Sequence, residues 1–78
     1  MKINEFINLL KLEFDVDNDT YITNESLLKD YFATSSLNIL FLRGIVNENF
    51  KVVLTDNEIK SCTTINELYQ KILAKIES

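Results

Sequence analysis

The stretch Ala33-Thr-Ser-Ser-Leu-Asn-Ile-Leu-Phe-Leu42 decides the fold of this chain. Small hydroxyl residues lead directly into an apolar segment that carries no charge. Serine and threonine often precede the first turn of a helix, because their side-chain oxygens accept hydrogen bonds from N–H groups that lack a partner inside the helix. The pattern therefore predicts a helix that begins at Ser35 or Ser36, with an exposed hydroxyl at its N-terminus.

Two interpretations of this hydroxyl are open from the local pattern alone. The first is that the serine only caps a helix of the hydrophobic core. The second is that one of the two serines is a site where a chemical group is attached. The rest of the sequence is needed to distinguish the two interpretations.

The length and composition favour one small all-α domain that spans residues 1–78. The apolar fraction of 46% is high enough for a folded core. A chain of this length buries about 60–65% of the surface of its unfolded state, which leaves room for one core and no deep active site. One glycine and no proline are too few for the turns of an all-β fold, so helices joined by polar loops are expected.

The composition also argues against several functional classes. Without histidine there can be no Ser–His or Cys–His pair, and one cysteine cannot form a zinc site by itself. Gly44 is the only glycine, so no glycine-rich phosphate loop exists and we do not expect an enzyme. The net charge of −4 disfavours nucleic acid. No apolar run approaches the roughly 18 residues of a membrane span, and the N-terminus lacks a signal-peptide layout, so a cytoplasmic location is expected. A monomer is the default expectation for the oligomeric state.

Hydrophobic periodicity predicts the order of the elements. They are a helix over 3–14, a polar loop over 15–26, a turn or a few helical residues over 26–32, a helix over 36–50, an extended connection over 51–54, a short helix over 56–60 and a last helix opened by the capping box Thr64-Ile-Asn-Glu67. The first helix places its apolar side chains at helical spacing, and so does the last. These are Ile3, Phe6, Ile7, Leu10 and Phe14 in the first, and Ile65, Leu68, Tyr69, Ile72, Leu73 and Ile76 in the last.

The helix over 36–50 has apolar residues on two sides. At 100° per residue, one arc holds Ile39, Leu42, Val46 and Phe50, and we assign it to the core. The second arc holds Leu37, Leu40 and Phe41, with Gly44, Asn47 and Glu48 around them. A helix with apolar residues on two sides is either buried all round or has one face reserved for a partner. Complete burial is difficult in so small a protein, so a partner face is one of the two interpretations that stay open.

Gly44 is unusual within this helix. A glycine in a helix interior costs about 1 kcal/mol relative to alanine. We expect either that another helix approaches closely there or that the position leaves room for a ligand.

The acidic loop resembles a calcium site only at its beginning. Asp15, Asp17 and Asp19 have the spacing of the first three ligands of a calcium loop. The pattern then fails, because Thr20 stands where the sharp turn needs glycine and Ser26 stands where the bidentate glutamate belongs. A solvated acidic connection is expected, without a metal.

Cys62 is the only cysteine, so an intramolecular disulfide is excluded. It comes just before the capping box of the last helix, where a small apolar side chain can pack against the core. Only Lys60 lies near enough in sequence to lower the pKa of its thiol, so we do not predict a reactive cysteine.

In this order and at these lengths, the chain resembles an acyl carrier protein, also called a phosphopantetheine-binding domain. The centre of the family reads Asp-Ser-Leu, followed by an apolar helix that ends in Phe, and here Ser36-Leu37 leads to Phe50 at that spacing. The stretch Phe50-Lys-Val-Val-Leu-Thr-Asp-Asn-Glu-Ile59 is similar to the family's Phe-Gly-Ile-Glu-Ile-Pro/Thr-Asp-Glu-Glu. Cys62-Thr-Thr-Ile-Asn-Glu-Leu68 is similar to the family's entry to the last helix.

The resemblance implies a four-helix bundle with a short third helix and a long loop between the first two helices. It implies that a phosphopantetheinyl transferase moves 4′-phosphopantetheine from coenzyme A onto the hydroxyl of Ser36. Counting back from Phe50 favours Ser36, whereas counting forward from Asp30 favours Ser35. The loaded arm would carry acyl or aminoacyl thioesters between acyl-transferring, ligase or synthase enzymes of a fatty-acid, polyketide or peptide pathway.

The chain departs from the family pattern at the serine and in the charges of the helix that follows. Ser35 replaces the family's aspartate, and the bulkier segment Phe32-Ala-Thr34 replaces a small glycine. The helix after the serine is acidic in typical fatty-acid carriers, whereas here it holds Glu48 as its one acid, with Arg43 within it. Partner recognition should therefore depend more on Leu37, Leu40 and Phe41 than on charge, which indicates a specialised carrier rather than the housekeeping fatty-acid carrier.

Two alternatives to a loaded carrier stay open. The first is a carrier-like module that only binds a partner, through the same apolar residues, and is never modified. The second is a small helical DNA-binding or regulatory domain, which the acidic charge disfavours.

Overall fold

The structure is a computed structural model in which residues 1–77 are described. This part of the chain forms five helices and no strands. They are α1 (Ile3–Glu13), α2 (Leu28–Tyr31), α3 (Ser36–Phe50), α4 (Asp56–Lys60) and α5 (Ile65–Glu77). The predicted all-α class is confirmed. The helix count is five rather than four because Leu28–Tyr31 completes a helical turn, and the predicted bundle arrangement stays a prediction.

Helix α1 ends in a Schellman motif. The N–H of Val16 donates to Lys11 O at 2.8 Å, and the N–H of Asp15 donates to Leu12 O at 3.2 Å. Asp15 adopts the left-handed conformation with φ 56° that this motif requires. The first aspartate of the calcium-like pattern therefore acts in ending a helix.

The acidic loop that follows is held by side-chain and backbone contacts. The Asp17 Oδ1 atom accepts a hydrogen bond from the N–H of Asp19 at 3.1 Å. The Lys11 ammonium reaches back from α1 and donates to the carbonyls of Asn18 and Thr20 at 3.1 and 2.9 Å. Within residues 1–77, acidic and cysteine side chains form no group of three or more that could hold a metal ion.

The core lies between α1, α3 and α5, with α4 packed against α3. The predicted core arc of α3 is confirmed for Ile39, Leu42 and Val46, which are buried. Phe50, the fourth residue of that arc, is half-buried and makes an edge contact with Phe6, with 5.7 Å between the ring centroids. Ile45, which we did not assign to that arc, is buried as well. The other buried side chains are Phe6, Ile7 and Leu10 of α1, Ile22 of the long loop, Leu28 and Phe32 around α2, Val52 and Leu54 before α4, Ile59 of α4, Cys62, and Ile65, Leu68, Tyr69 and Ile72 of α5. Ile76, predicted to belong to the apolar stripe of α5, is instead half exposed.

The end of the long loop is tied to the beginning of α5. Leu27 and Thr64 form an isolated antiparallel bridge. On either side of it, Leu28 N–H donates to Thr63 O at 2.9 Å and Ile65 N–H donates to Ser26 O at 3.1 Å. These bonds hold α2 over the end of the core.

The capping box predicted at the start of α5 is confirmed. Thr64 Oγ1 accepts from the N–H of Glu67 at 3.1 Å, and Glu67 Oε1 accepts from the N–H of Thr64 at 3.0 Å. The same carboxylate also accepts from the N–H of Thr63 at 2.6 Å. These backbone donors, Thr64 first and Thr63 second, lower the pKa of Glu67 below its ordinary value.

The connection between α3 and α4 lies against the core. Lys51 leaves α3 in the left-handed conformation with φ 58°. Val52 and Leu54 are buried, whereas Val53 between them is exposed, so the segment has the alternation of an extended chain. Thr55 then caps α4 with its own capping box to Glu58.

Glu58 also joins α4 to α5 through a salt bridge to Lys75 at 2.7 Å. The hydrogen bond from Lys75 and the backbone N–H of Thr55 lower the pKa of Glu58 from its ordinary 4.5 to about 2.

Cys62 is buried as expected, and its thiol donates to Glu58 O at 3.3 Å. Burial raises the pKa of this thiol.

Within residues 1–77, no helix is both long enough and apolar enough to cross a membrane.

Candidate attachment site and docking face

The two serines at the start of α3 have different surroundings. Ser35 is the N-cap, in extended conformation with φ −153° and ψ 168°. Its Oγ accepts a hydrogen bond from the N–H of Asn38 at 3.2 Å. The Asn38 side chain in turn donates to the hydroxyl of Thr34. The Ser35 hydroxyl therefore caps the N-terminus of α3.

Ser36 is the first residue of α3 and is exposed. Its hydroxyl makes no hydrogen bond to any other residue of the described chain. The backbone N–H groups of Ser36 and Leu37 also lack a partner there. A free hydroxyl thus lies beside two free backbone donors.

The first turn of α3 contains no acidic residue. Each of the other helices in residues 1–77 has at least one, as Glu5, Asp30, Asp56 and Glu67 show for α1, α2, α4 and α5. Acidic side chains are favourable at helix N-termini because unpaired N–H groups and the helix dipole make that end positive. At α3 this positive end is left without an anion of the chain, so it can stabilise a phosphate linked to Ser36.

The second arc of α3 is exposed in the structure. Leu37 is 73% exposed, Leu40 is 58% exposed and Phe41 is 46% exposed. Phe41 keeps its orientation through an edge contact with the Phe14 ring, at 5.0 Å between centroids. We call these three residues, together with exposed Glu48, the docking face.

An open groove of about 480 Å³ runs along the docking face. Besides the four docking-face residues, its lining consists of Glu13, Gly44 and Ile45. A smaller hollow of about 220 Å³ lies on the other side of Gly44, against Val53 and Leu54. Gly44 therefore lies in the wall of both.

Open space surrounds Gly44. A Cβ atom built on this residue would meet no heavy atom within 4 Å. The expectation that another helix of the chain approaches closely there is therefore wrong. The expected alternative, room for a ligand, is compatible with this space.

Arg43 does not contribute a free charge to the docking face. Its Nε donates to Leu54 O at 2.8 Å, and its Nη1 lies 2.9 Å from Asp56 Oδ1. This pairing turns the arginine toward the connection before α4. The charges that line the groove are then the carboxylates of Glu48 and of Glu13.

Sequence reasoning identified Glu48 but missed Glu13 as part of this surface. Glu13 is the last residue of α1, and only the packing of α1 beside α3 brings it to the groove. The ion pair of Arg43 with Asp56, 13 residues further along the chain, was missed for the same reason. Its only sequence signal is one basic residue in α3 followed by the acidic start of the next helix.

Comparison of the chain with models of known protein families, with curated proteins and with solved structures gives no significant match. The resemblance to acyl carrier proteins therefore stays a prediction from the sequence.

Proposed function

We propose that this protein is a carrier that holds acyl or aminoacyl thioesters on a 4′-phosphopantetheine arm attached to Ser36. The observation that carries the proposal is the difference between the neighbouring serines. The Ser36 hydroxyl is exposed and without a partner, whereas the Ser35 hydroxyl is bonded to the N–H of Asn38. A group can be added at Ser36 without breaking a hydrogen bond of the fold.

The replacement of the family's aspartate by Ser35 is compatible with this function. Aspartate and serine are both strong N-cap residues, because each presents an oxygen to the N–H groups of the first turn. Ser35 makes this bond. The replacement removes a negative charge beside Ser36, which leaves the positive end of α3 free for a phosphodiester.

The chain supplies the oxygen and its position but no base. It has no histidine, and we propose that the transferase removes the proton of the Ser36 hydroxyl. In the transfer, a phosphorus–oxygen bond to Ser36 Oγ forms, and the bond from that phosphorus to the adenosine diphosphate part of coenzyme A breaks. The arm then supplies a terminal thiol on which thioesters form.

The test is the intact mass of the purified chain after incubation with coenzyme A and a transferase of broad specificity. We expect a gain of one phosphopantetheine in the wild-type protein and in Ser35→Ala, but none in Ser36→Ala. A gain that survives Ser36→Ala, or no gain in any of the three proteins while a known carrier in the same tube is modified, would contradict the assignment.

A second candidate function is a carrier-like module that binds a partner without being modified. The exposure of Leu37, Leu40 and Phe41 favours it, because three large apolar side chains on one helix face are unusual for an isolated small domain. It predicts no mass gain with coenzyme A, together with a partner interaction that Leu40→Glu abolishes. If that variant kept every interaction of the wild type, this candidate would be dropped.

A further inference from the structure

The long loop between α1 and α2 contains two β-turns of the same construction. Their sequences are Asp17-Asn-Asp-Thr20 and Thr23-Asn-Glu-Ser26. In the first turn Thr20 N–H donates to Asp17 O at 2.9 Å, and in the second Ser26 N–H donates to Thr23 O at 3.1 Å. In both turns the side chain of the opening residue also accepts from the N–H two residues further on, at 3.1 and 3.2 Å. The two turns are therefore matched in sequence and in internal hydrogen bonds.

The two turns differ in how they are attached to the rest of the fold. Backbone hydrogen bonds attach the second turn to the start of α5, since Asn24 O and Ser26 O accept from that helix at 2.8 and 3.1 Å. Within residues 1–77, no backbone hydrogen bond joins residues 17–20 to another segment. The first turn is instead attached by one side chain, because the Lys11 ammonium donates to Asn18 O at 3.1 Å and to Thr20 O at 2.9 Å.

The charge of the loop makes this attachment important. Residues 12–28 contain no lysine or arginine and five acids, which are Glu13, Asp15, Asp17, Asp19 and Glu25. The three aspartates are exposed, and none of them has a salt bridge within residues 1–77. Repulsion between their carboxylates favours an open loop. The positive charge of Lys11 opposes that repulsion.

The Lys11 ammonium has the role that a metal ion has in a calcium loop. Calcium brings loop segments together because carboxylates and backbone carbonyls surround one positive charge. The acidic pattern begins in that way here, but the described residues form no group of three that could hold a metal. The chain supplies the positive charge itself, through hydrogen bonds that are stronger than neutral ones because their donor is charged.

We propose that the Lys11 ammonium is the resident cation of the acidic loop, and that its charge controls whether the first turn is closed or open. The turn is closed while the ammonium holds Asn18 O and Thr20 O, and it opens when the positive charge is removed. The second turn stays attached to α5 in both states. Neutralisation of this amine is thus a switch for the loop. The inference goes beyond the carrier function, because it holds whether or not Ser36 is modified.

The experiment is a measurement of backbone order parameters by ¹⁵N NMR relaxation in the wild type and in Lys11→Met. This substitution removes the charge and keeps an unbranched apolar side chain. We expect the order parameters of residues 17–21 to fall from about 0.85 to below about 0.6. Those of residues 23–26 should not change, so the second turn is an internal control for general loss of structure.

Two further variants separate the position of the charge from its amount. Lys29→Met is the matched control, because it changes the net charge by the same amount as Lys11→Met. Lys29 is exposed, and it makes no hydrogen bond or salt bridge within residues 1–77. Lys29→Met should leave both turns ordered. Lys11→Arg keeps the charge and should keep the first turn closed.

Limited proteolysis with chymotrypsin gives a second measurement. Tyr21 is 84% exposed and follows the first turn directly, but the next residue, Ile22, is buried. Cleavage after Tyr21 therefore requires the loop to open locally. Loss of two hydrogen bonds from a charged donor should increase the open population, and with it the cleavage rate of Lys11→Met, at least about tenfold.

Four results would overturn the proposal. They are an ordered first turn in Lys11→Met, an equal loss of order in both turns, the same effect in Lys29→Met, and an open first turn in Lys11→Arg. Calcium supplies one more check on the wild type. If millimolar calcium raised the order of the first turn, the cation of this loop would be a metal ion and the assignment to Lys11 would be wrong.

Discussion

Helices α3 and α5 begin in the same way in sequence and differently in structure. Each has a hydroxyl N-cap, Ser35 or Thr64, followed by a residue at the third helical position whose N–H the cap accepts. At α5 the remaining donors are also used, since Ile65 N–H donates to Ser26 O and Asn66 N–H donates to Asn24 O at 2.8 Å. All the donors of that first turn therefore have partners.

At α3 the equivalent donors are open. The N–H groups of Ser36 and Leu37 have no partner in residues 1–77, and the first turn holds no acid. The chain thus saturates the start of α5 and leaves the start of α3 open. Of these two helix starts, only that of α3 is available to a group from outside the chain.

The largest expected difference comes from proline at the second position of each helix. Asn66→Pro removes a donor that is bonded to Asn24 O, whereas Leu37→Pro removes a donor without a partner. Asn66→Pro should therefore cost about 1–3 kcal/mol more in the free energy of unfolding, because it leaves Asn24 O unsatisfied. Urea unfolding of both variants measures this, with Asn66→Ala and Leu37→Ala as side-chain controls. Equal costs would show that the hydrogen bond from Asn66 N–H to Asn24 O contributes nothing to the free energy of unfolding.

A smaller effect is expected at the cap of α3. Ser35→Ala should lower the free energy of unfolding by about 1 kcal/mol, and Ser35→Asp should stay within a few tenths of the wild type. Ser36→Ala, which removes a hydroxyl without a partner, should change it by less than about 0.5 kcal/mol. Thermal unfolding of the three variants is the measurement. A cost at Ser36 as large as that at Ser35 would mean that both hydroxyls are structural.

The smallest expected effect is on how the free energy of unfolding depends on pH in the acid range. The pKa of Glu58 falls from 4.5 to about 2, mainly through Lys75, and the backbone N–H of Thr64 lowers the pKa of Glu67. Between pH 4.5, the ordinary pKa of Glu58, and about 2, its pKa in the folded protein, the unfolded chain binds more protons than the folded one. The free energy of unfolding therefore falls as the pH drops through this range.

Glu58→Gln and Glu67→Gln should each make this loss of stability on acidification less steep. Urea midpoints across the acid range are the readout. The control is Glu25→Gln, because the carboxylate of Glu25 makes no hydrogen bond or ion pair within residues 1–77. A decline that is equally steep in all three variants would contradict the assignment to these two groups.

Sequence patterns predicted the parts of the fold whose signals are local. The bounds of α3 and α4 agree with the prediction because Ser35 and Thr55 are cap residues directly before helical periodicity. The capping box of Thr64 and Glu67 could be predicted from the sequence for the same reason, because both partners lie within one helical turn.

The parts that were not predicted depend on contacts between distant segments. The tether of Asn24 to the start of α5 joins backbone groups, so no side chain signals it. The position of Glu13 in the groove follows from how α1 packs beside α3. The pattern predicted two arcs on α3, but it could not show that Gly44 faces open space rather than a second helix.

The burial of Cys62 has a practical consequence for thiol chemistry. Burial raises the pKa of this thiol, so little of it is the reactive thiolate at neutral pH. An arm on Ser36 would end in a thiol that lies outside the fold. A maleimide dye added to the folded protein would then report the fraction of chains whose arm ends in a free thiol. Urea, by exposing Cys62, would give the total amount of protein in the same sample.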